Sequence, residues 1–149
     1  MTQVESKLLE SWAKSPFLNN ADVLIFGRCL QGSYPEVYRK FAKGKICLSV
    51  CPEAEQPIFG KLASILTSTK PKSITVVTID GSPDCYTLHA GVNEAYYISK
   101  SKVPRKHYVI LEGKEYEISP EAIRLSRYLS LSQKAVEKSP ELVSELRKH

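Results

Sequence analysis

Short apolar runs alternate along the chain with longer stretches in which apolar residues recur every three or four positions. The short runs are typical of strands buried on both faces, whereas the longer stretches predict amphipathic helices. Residues 73–79 give the clearest strand, because Ile, Val and Thr dominate that segment. Strands are predicted over residues 21–27, 45–51, 73–79 and 107–111.

Helices are predicted between these strands and ahead of the first one. Three of them are expected over residues 34–43, 57–68 and 85–99. An N-terminal helix is expected over residues 4–14, because its apolar residues share one helical face. Those residues are Val4, Leu8, Leu9 and Trp12.

The chain after the fourth strand is expected to form a hairpin and then two helices. Residues 112–115, Glu-Gly-Lys-Glu, are typical of a turn, and residues 116–118 are expected to return as a short edge strand. Ser119 and Ser139 each precede Pro and Glu, a pattern that favours a hydroxyl N-cap with Pro in the first turn. The last helix is expected to end at His149.

Strands that alternate with helices favour a parallel sheet with right-handed crossovers. The predicted fold class is α/β: a three-layer, mostly parallel four-stranded sheet with a small antiparallel edge hairpin and C-terminal helices. We expect the strand order 2-1-3-4 in a single domain over residues 1–149, with an N-terminal helix and a C-terminal helical extension. Apolar residues of that extension are expected to pack on the sheet, and a docking or homodimer surface is the alternative. They are Tyr128, Leu129, Leu131 and Val136.

Composition and charge narrow the class of protein further. The chain has 149 residues, of which 42% are hydrophobic and 25% charged, as in ordinary globular domains. No apolar run approaches the roughly 18 residues of a membrane span, and the polar start of the chain is unlike a signal peptide. We therefore expect a cytoplasmic protein without a membrane partner. The net charge of +5 is modest, and no aromatic RNA-binding motif accompanies the basic residues. Both observations disfavour a nucleic-acid partner.

Four cysteines in a protein expected in the cytoplasm point to metal binding, redox chemistry or simple burial, because cytosolic thiols are normally reduced. Cys29 follows the first predicted strand, Cys51 ends the second, and Cys85 follows the third. The carboxyl ends of parallel strands meet at one edge of a sheet, which is where open α/β sheets bind ligands. With the order 2-1-3-4, these three thiols are expected to meet there.

Cys47 is expected to stand apart from the other thiols. It precedes Cys51 by four residues, a separation of roughly 13 Å along a strand. We interpret Cys47 as a small buried apolar residue.

The segment that opens the helix after the third strand is the best candidate for chemistry. Cys85 is expected in the first helical turn, where the helix dipole favours the thiolate. His89 follows at i+4 on the same helix face, so that both side chains could reach one metal ion. A packed histidine without a ligand role is the alternative for His89. His107 has no visible partner in the sequence.

Several familiar sites are absent from the sequence. It contains no C-x-x-C couple, no G-x-G-x-x-G or G-x-x-x-x-G-K phosphate loop, and no G-x-S-x-G nucleophile elbow. Cys51 is followed by Pro and by the acidic residues Glu53 and Glu55, without the Arg that a cysteine phosphatase needs. These absences disfavour dinucleotide-binding, phosphate-loop and esterase functions.

Residues 44–98 resemble a segment of some prokaryotic ferredoxin-like iron–sulfur proteins. The likeness lies in a strand that ends in Cys51-Pro, a following helix, the strand Lys-Ser-Ile-Thr-Val-Val, and a loop that contains Cys85. The resemblance implies an electron-transfer or iron–sulfur context for Cys51 and Cys85. The chain lacks the closely spaced ferredoxin cluster motif and has one cysteine, not two, in the Cys85 loop.

Three hypotheses follow. The leading one is a redox accessory protein that binds a metal or an iron–sulfur cluster through cysteines. Its cofactor would be zinc or an iron–sulfur cluster, and its partner would be a redox protein. Its predicted ligands are Cys29, Cys51, Cys85 and His89. The second is a thiol-dependent enzyme or sulfur carrier that uses Cys85 as its catalytic residue, with Cys51 as resolving thiol. The third is a non-catalytic interaction domain with structural cysteines.

Overall fold

The computed structural model describes residues 4–146, which contain one six-stranded sheet. The strands are β1 (Glu5–Lys7), β2 (Asp22–Gly27), β3 (Ile46–Val50), β4 (Ser73–Ile79), β5 (Arg105–Leu111) and β6 (Lys114–Ile118). Their order is β1-β3-β2-β4-β5-β6, with β6 antiparallel to β5 and every other pair parallel. The predicted order of the four central strands is therefore confirmed, and one further strand, β1, joins the sheet.

Helices cover both faces of this sheet. They are α1 (Cys29–Ser33), α2 (Pro35–Ala42), α3 (Phe59–Ser68), α4 (Pro83–Ser99), α5 (Pro120–Leu125) and α6 (Leu129–Lys138). Side chains alternate along the central strands, so Ile25 and Val76 join the apolar cluster under α3 and α4, whereas Phe26 and Val77 join the cluster under α1 and α2. The predicted three-layer α/β architecture is confirmed.

The prediction of a helix over residues 4–14 is wrong. Glu5–Lys7 forms β1 on the open edge of β3, where Glu5 pairs with Cys47, and Leu8–Glu10 forms one turn of 3₁₀ helix. The backbone groups at that edge of β3 need partners, and a short polar segment supplies them at less cost than nucleating an isolated helix. Leu8 is still buried, whereas Trp12 is 66% exposed.

The C-terminal part begins as predicted and then departs from the expected packing. Ser119 caps α5, since its hydroxyl accepts a hydrogen bond from the amide of Ala122 at 3.2 Å. Helix α6 and the 3₁₀ helix Pro140–Glu145 have no buried residues. Tyr128, Leu129, Leu131 and Val136 are all exposed, so the predicted packing of these side chains on the sheet is wrong. The expected end at His149 lies outside the described residues.

Helices in the described range fall short of a membrane span. None of those within residues 4–146 combines the length and the apolar character that crossing a bilayer requires.

Candidate functional site

The three candidate thiols follow three neighbouring parallel strands. Cys29 begins α1 after β2, Cys51 comes directly after β3, and Cys85 lies in the first turn of α4 after β4. Because β2 lies between β3 and β4, all three residues lie at the carboxyl edge of the sheet. This is the point at which the strand order reverses and at which open α/β sheets bind ligands.

Cys85 is the innermost of the three thiols. Its side chain is 7% exposed, and its amide donates a hydrogen bond of 3.3 Å to the hydroxyl of Ser82, the N-cap of α4. A Cβ atom built on Gly27 would lie 3.5 Å from Cys85 Sγ and 3.6 Å from Thr78 Cγ2. The glycine at the end of β2 therefore leaves a methyl-sized space next to the thiol.

Cys51 is half-buried, and a small polar network fixes the loop that carries it. The carboxylate of Glu55 accepts a hydrogen bond from the Cys51 amide at 3.1 Å and forms an ion pair with Arg28. The amide of Arg28 donates to the carbonyl of Val50 at 2.8 Å, which ties the ends of β2 and β3 together. Cys29, the residue after Arg28, is exposed to solvent. The edge thus offers one exposed, one half-buried and one buried thiol.

Burial raises the pKa of the Cys85 thiol above its ordinary value. The Ser82 hydroxyl opposes this shift, and negative charge on Cys29, Cys51 or Asp84 reinforces it. This burial opposes the thiolate form that the helix dipole is expected to favour at Cys85. Cys29 and Cys51 thus both lie within electrostatic range of Cys85.

The donor atoms at this edge do not form a ready-made metal site. Within residues 4–146, no group of three or more His, Cys, Asp or Glu side chains is arranged to hold a metal ion. All four cysteines are free thiols. The three thiols have the right chemistry for a soft metal, but holding one requires their side chains to move toward a common point.

His89 does not join the thiols, although it lies one turn after Cys85. Its Nε2 atom is 2.8 Å from Thr78 Oγ1, and its Nδ1 atom is 2.9 Å from His107 Nδ1. Both ring nitrogens are thus hydrogen-bonded in the layer between α4 and the sheet. Since the ring is only 2% exposed, it has no free nitrogen to offer a metal, and the alternative of a packed histidine describes it.

The histidine pair belongs to a longer chain of buried polar groups. Arg105 Nη1 lies 3.4 Å from His107 Nε2, and a guanidinium can only donate. His107 must then carry its proton on Nδ1 and donate to His89, and His89 must donate from Nε2 to Thr78. Burial lowers the pKa of His89 to about 4 and that of His107 to about 3, with His89 and Arg105 adding to the second shift. Both rings are neutral at pH 7.

Two other residues carried weaker signals in the sequence. Cys47 is buried and its thiol lies 3.9 Å from the carbonyl of Ala42, so the interpretation as a small core residue is confirmed. The partner of His107 was missed, because the contact joins α4 to β5 and depends on tertiary packing. The available signal was the position of His107 in a predicted strand, where a buried ring without a partner would be costly.

Comparisons with known proteins agree with this architecture. A family profile described as a Rossmann-like domain matches residues 15–148. No curated protein and no solved structure gives a significant match. The profile lends no support to the ferredoxin-like resemblance of residues 44–98, which stays a prediction. Since the match spans most of the chain, the protein belongs to a Rossmann-like domain family.

Proposed function

We propose that the protein is a metal-binding accessory domain that holds a thiophilic metal centre, either zinc or an iron–sulfur cluster, at the carboxyl edge of its sheet. Cys29, Cys51 and Cys85 are the proposed ligands. The observation that carries the proposal is the convergence of these three thiols after the adjacent strands β3, β2 and β4.

The chemistry of the donors supports a soft metal rather than magnesium or calcium. Thiolate sulfur prefers zinc, copper(I) and iron–sulfur clusters, whereas hard cations prefer carboxylate oxygen. Each thiol loses its proton when it binds a metal, so binding releases protons and tightens with increasing pH. The raised pKa of Cys85 extends this dependence to higher pH. A fourth ligand would come from solvent, a substrate or a redox partner protein, since His89 is engaged elsewhere.

Zinc titration of the fully reduced protein tests the proposal. We expect one equivalent of Zn²⁺ to bind with a dissociation constant below about 1 μM. Replacing either Cys51 or Cys85 by Ser should weaken binding by at least about 100-fold, more than the typical loss of an outer-shell partner. Cys47→Ala is the matched control, because Cys47 is buried away from this edge and alanine keeps a small apolar side chain in its place.

Two outcomes contradict the proposal. One is that the reduced protein neither binds zinc nor assembles an iron–sulfur cluster. The other is binding that the Cys51→Ser and Cys85→Ser variants leave unchanged. Anaerobic reconstitution with iron and sulfide separates the two kinds of centre, since only a cluster gives strong visible absorption. A cluster would also support the resemblance of residues 44–98 to iron–sulfur proteins.

A thiol-dependent enzyme or sulfur carrier that uses Cys85 has less support. A nucleophilic thiol needs a lowered pKa and access to substrate, and Cys85 has neither. Among the three edge thiols, alkylation at neutral pH should therefore modify Cys29 first and Cys85 last. Rapid modification of Cys85 would favour the enzyme.

A further inference from the structure

A cavity lies at the opposite edge of the sheet from the thiols. It has a volume of about 600 Å³ and opens between the C-terminal half of α4, the start of β5 and the end of α5. We call it the arginine–tyrosine cavity, after the side chains that matter most in its wall. They are Tyr96, Arg105, Arg124, Arg127 and Tyr128.

The charge in this cavity is not balanced by nearby carboxylates. Arg127 lies 3.7 Å from Glu94, which also lines the cavity. Within residues 4–146, neither Arg105 nor Arg124 forms an ion pair, although Glu121 lies within electrostatic range of Arg105. Three guanidinium groups thus share a pocket with a single lining carboxylate, which favours an anion.

Arg105 is held in position by neutral partners. Its guanidinium stacks over the ring of Tyr96 at 4.2 Å from the ring centroid, and its Nη1 atom donates to Asn93 Oδ1 at 2.6 Å. Its Nη2 and Nε groups have no hydrogen-bond partner within the described chain. The side chain is therefore fixed while retaining donors, which is the arrangement that recognises oxyanions.

Tyr96 provides an independent sign of a missing ligand. The residue is only 8% exposed and lines the cavity, yet its hydroxyl is a buried polar atom without any hydrogen-bond partner in residues 4–146. Leaving a buried hydroxyl unpaired is costly, and each native exception calls for an explanation. Burial raises the pKa of Tyr96 to about 12, so that the hydroxyl stays protonated and can donate. An anionic oxygen in the cavity would accept that hydrogen bond.

Tyrosine rings add a surface for a planar group. Tyr97 and Tyr128 both line the cavity and are 79% and 46% exposed. The guanidinium of Arg127 lies 6.0 Å from the Tyr128 ring centroid. The cavity is far larger than an inorganic anion requires, and exposed aromatic rings are stacking platforms for nucleobases.

From these contacts we infer that the arginine–tyrosine cavity binds a small organic phosphate that carries a planar ring, such as a nucleoside monophosphate. Its phosphate oxygens accept hydrogen bonds from the guanidinium groups of Arg105 and Arg124 and from the Tyr96 hydroxyl. Its ring stacks on the exposed tyrosines. A phosphate fits better than a carboxylate, because three cations and a phenol offer more donors than two oxygens can use.

Calorimetric titration of the intact protein with three probes tests this assignment. Adenosine monophosphate should bind at least about tenfold more tightly than inorganic phosphate, because stacking adds to the ionic contacts. Adenosine should not bind measurably. The assignment is overturned if neither anion binds, if adenosine binds as tightly as its monophosphate, or if only a longer single-stranded oligonucleotide binds.

Two variants locate the binding. Arg124→Gln removes one exposed cation and should weaken adenosine monophosphate binding about tenfold, whereas Arg39→Gln makes the same charge change on α2 and should have no effect. Tyr96→Phe keeps the stacked ring and removes only the unpaired hydroxyl. It should weaken binding several-fold while the melting temperature stays equal or increases. Unchanged affinity in both Arg124→Gln and Tyr96→Phe overturns the assignment even if the nucleotide binds.

Discussion

The carboxyl edge and the arginine–tyrosine cavity illustrate two ways in which a small α/β protein assembles a candidate site. At the carboxyl edge, Cys29, Cys51 and Cys85 meet because each follows its own strand, so that topology alone brings them together. In the cavity, Tyr96, Arg105 and Arg124 meet only because α4, β5 and α5 pack in one particular way. The first arrangement can be inferred from spacing in the sequence, whereas the second requires the packed structure.

A buried row of hydrogen bonds joins the two regions. It starts at Asn93 and Arg105 beside the cavity, passes through His107 and His89, and ends at Thr78 near the carboxyl end of β4. Thr78 and Cys85 both approach the same face of Gly27. The two edges therefore share one polar layer beneath α4. Changes in that layer test most directly whether the two edges behave independently.

Acid should produce the largest effect, because it acts on that shared layer. The pKa of each buried histidine is lowered in the folded protein, to about 4 for His89 and about 3 for His107, against about 6.5 in the unfolded chain. Above pH 6.5 neither state binds these protons, so the histidines do not affect stability. As the pH falls from 6.5 toward 4, the unfolded chain binds protons that the folded protein does not. The free energy of unfolding should then drop by a few kcal/mol.

Chemical denaturation between pH 8 and pH 4, combined with an NMR titration of the imidazole protons, measures this effect. Neither buried ring should titrate above pH 5. A ring of His89 or His107 that titrates near 6.5 would show that the polar layer is hydrated and that the two edges are not joined as described.

Gly27→Ala should affect the carboxyl edge and leave the arginine–tyrosine cavity unchanged. The new methyl group would lie in ordinary contact with Cys85 Sγ, at 3.5 Å, so the fold should tolerate it. It fills the space beside the thiol, and we expect zinc affinity to fall about tenfold. Gly32→Ala is the matched control, since a Cβ there meets nothing within 4 Å. Equal zinc affinity in the two variants would mean that Cys85 binds no metal.

Ser82→Ala should have a smaller effect, expressed in stability. The Ser82 hydroxyl accepts the hydrogen bond of the Cys85 amide and caps α4. Its removal should lower the free energy of unfolding by about 1 kcal/mol. Ser130→Ala, at an exposed position in α6 with no capping role, should change stability by much less. Comparable losses in both variants would rule out a specific contribution from the cap.

Glu55→Gln should have the smallest effect, limited to the Cys51 loop. The substitution removes the ion pair with Arg28 and weakens the hydrogen bond from the Cys51 amide. Cys51 should then react with iodoacetamide about two- to threefold faster, because the loop opens more often. Glu53→Gln provides the control, as Glu53 is exposed and its carboxylate forms no ion pair within residues 4–146. An unchanged rate would mean that the ion pair does not hold the loop.

The central sheet was predictable because its strands carry their own signal. Apolar and β-branched runs gave β2 through β5, and the alternation with helices gave their parallel order. The edge strand β1 was not predictable, because Glu5–Lys7 is exposed and polar and becomes a strand only through its pairing with β3. Local propensity decides little in a three-residue segment of this kind.

The candidate site was predictable only in part, for a related reason. Spacing after strands brings Cys29, Cys51 and Cys85 to one edge, and this needs no knowledge of side-chain direction. The helical spacing of Cys85 and His89 suggested a shared ligand, but His89 turns toward the sheet, where Thr78 and His107 satisfy both its nitrogens. The neighbour that a side chain contacts depends on the packing of the layer around it and not on the helical periodicity of the sequence.

The inability of Arg105 to accept a hydrogen bond has a consequence for the whole molecule. It gives the row from Arg105 to Thr78 a single polarity, with every bond dipole aligned in the same sense across the sheet. A neutral residue at position 105 that can both donate and accept would let the imidazoles exchange tautomers and reverse that alignment. The guanidinium therefore sets the direction in which the Thr78 hydroxyl proton points on the neighbouring strand β4, without any movement of the backbone.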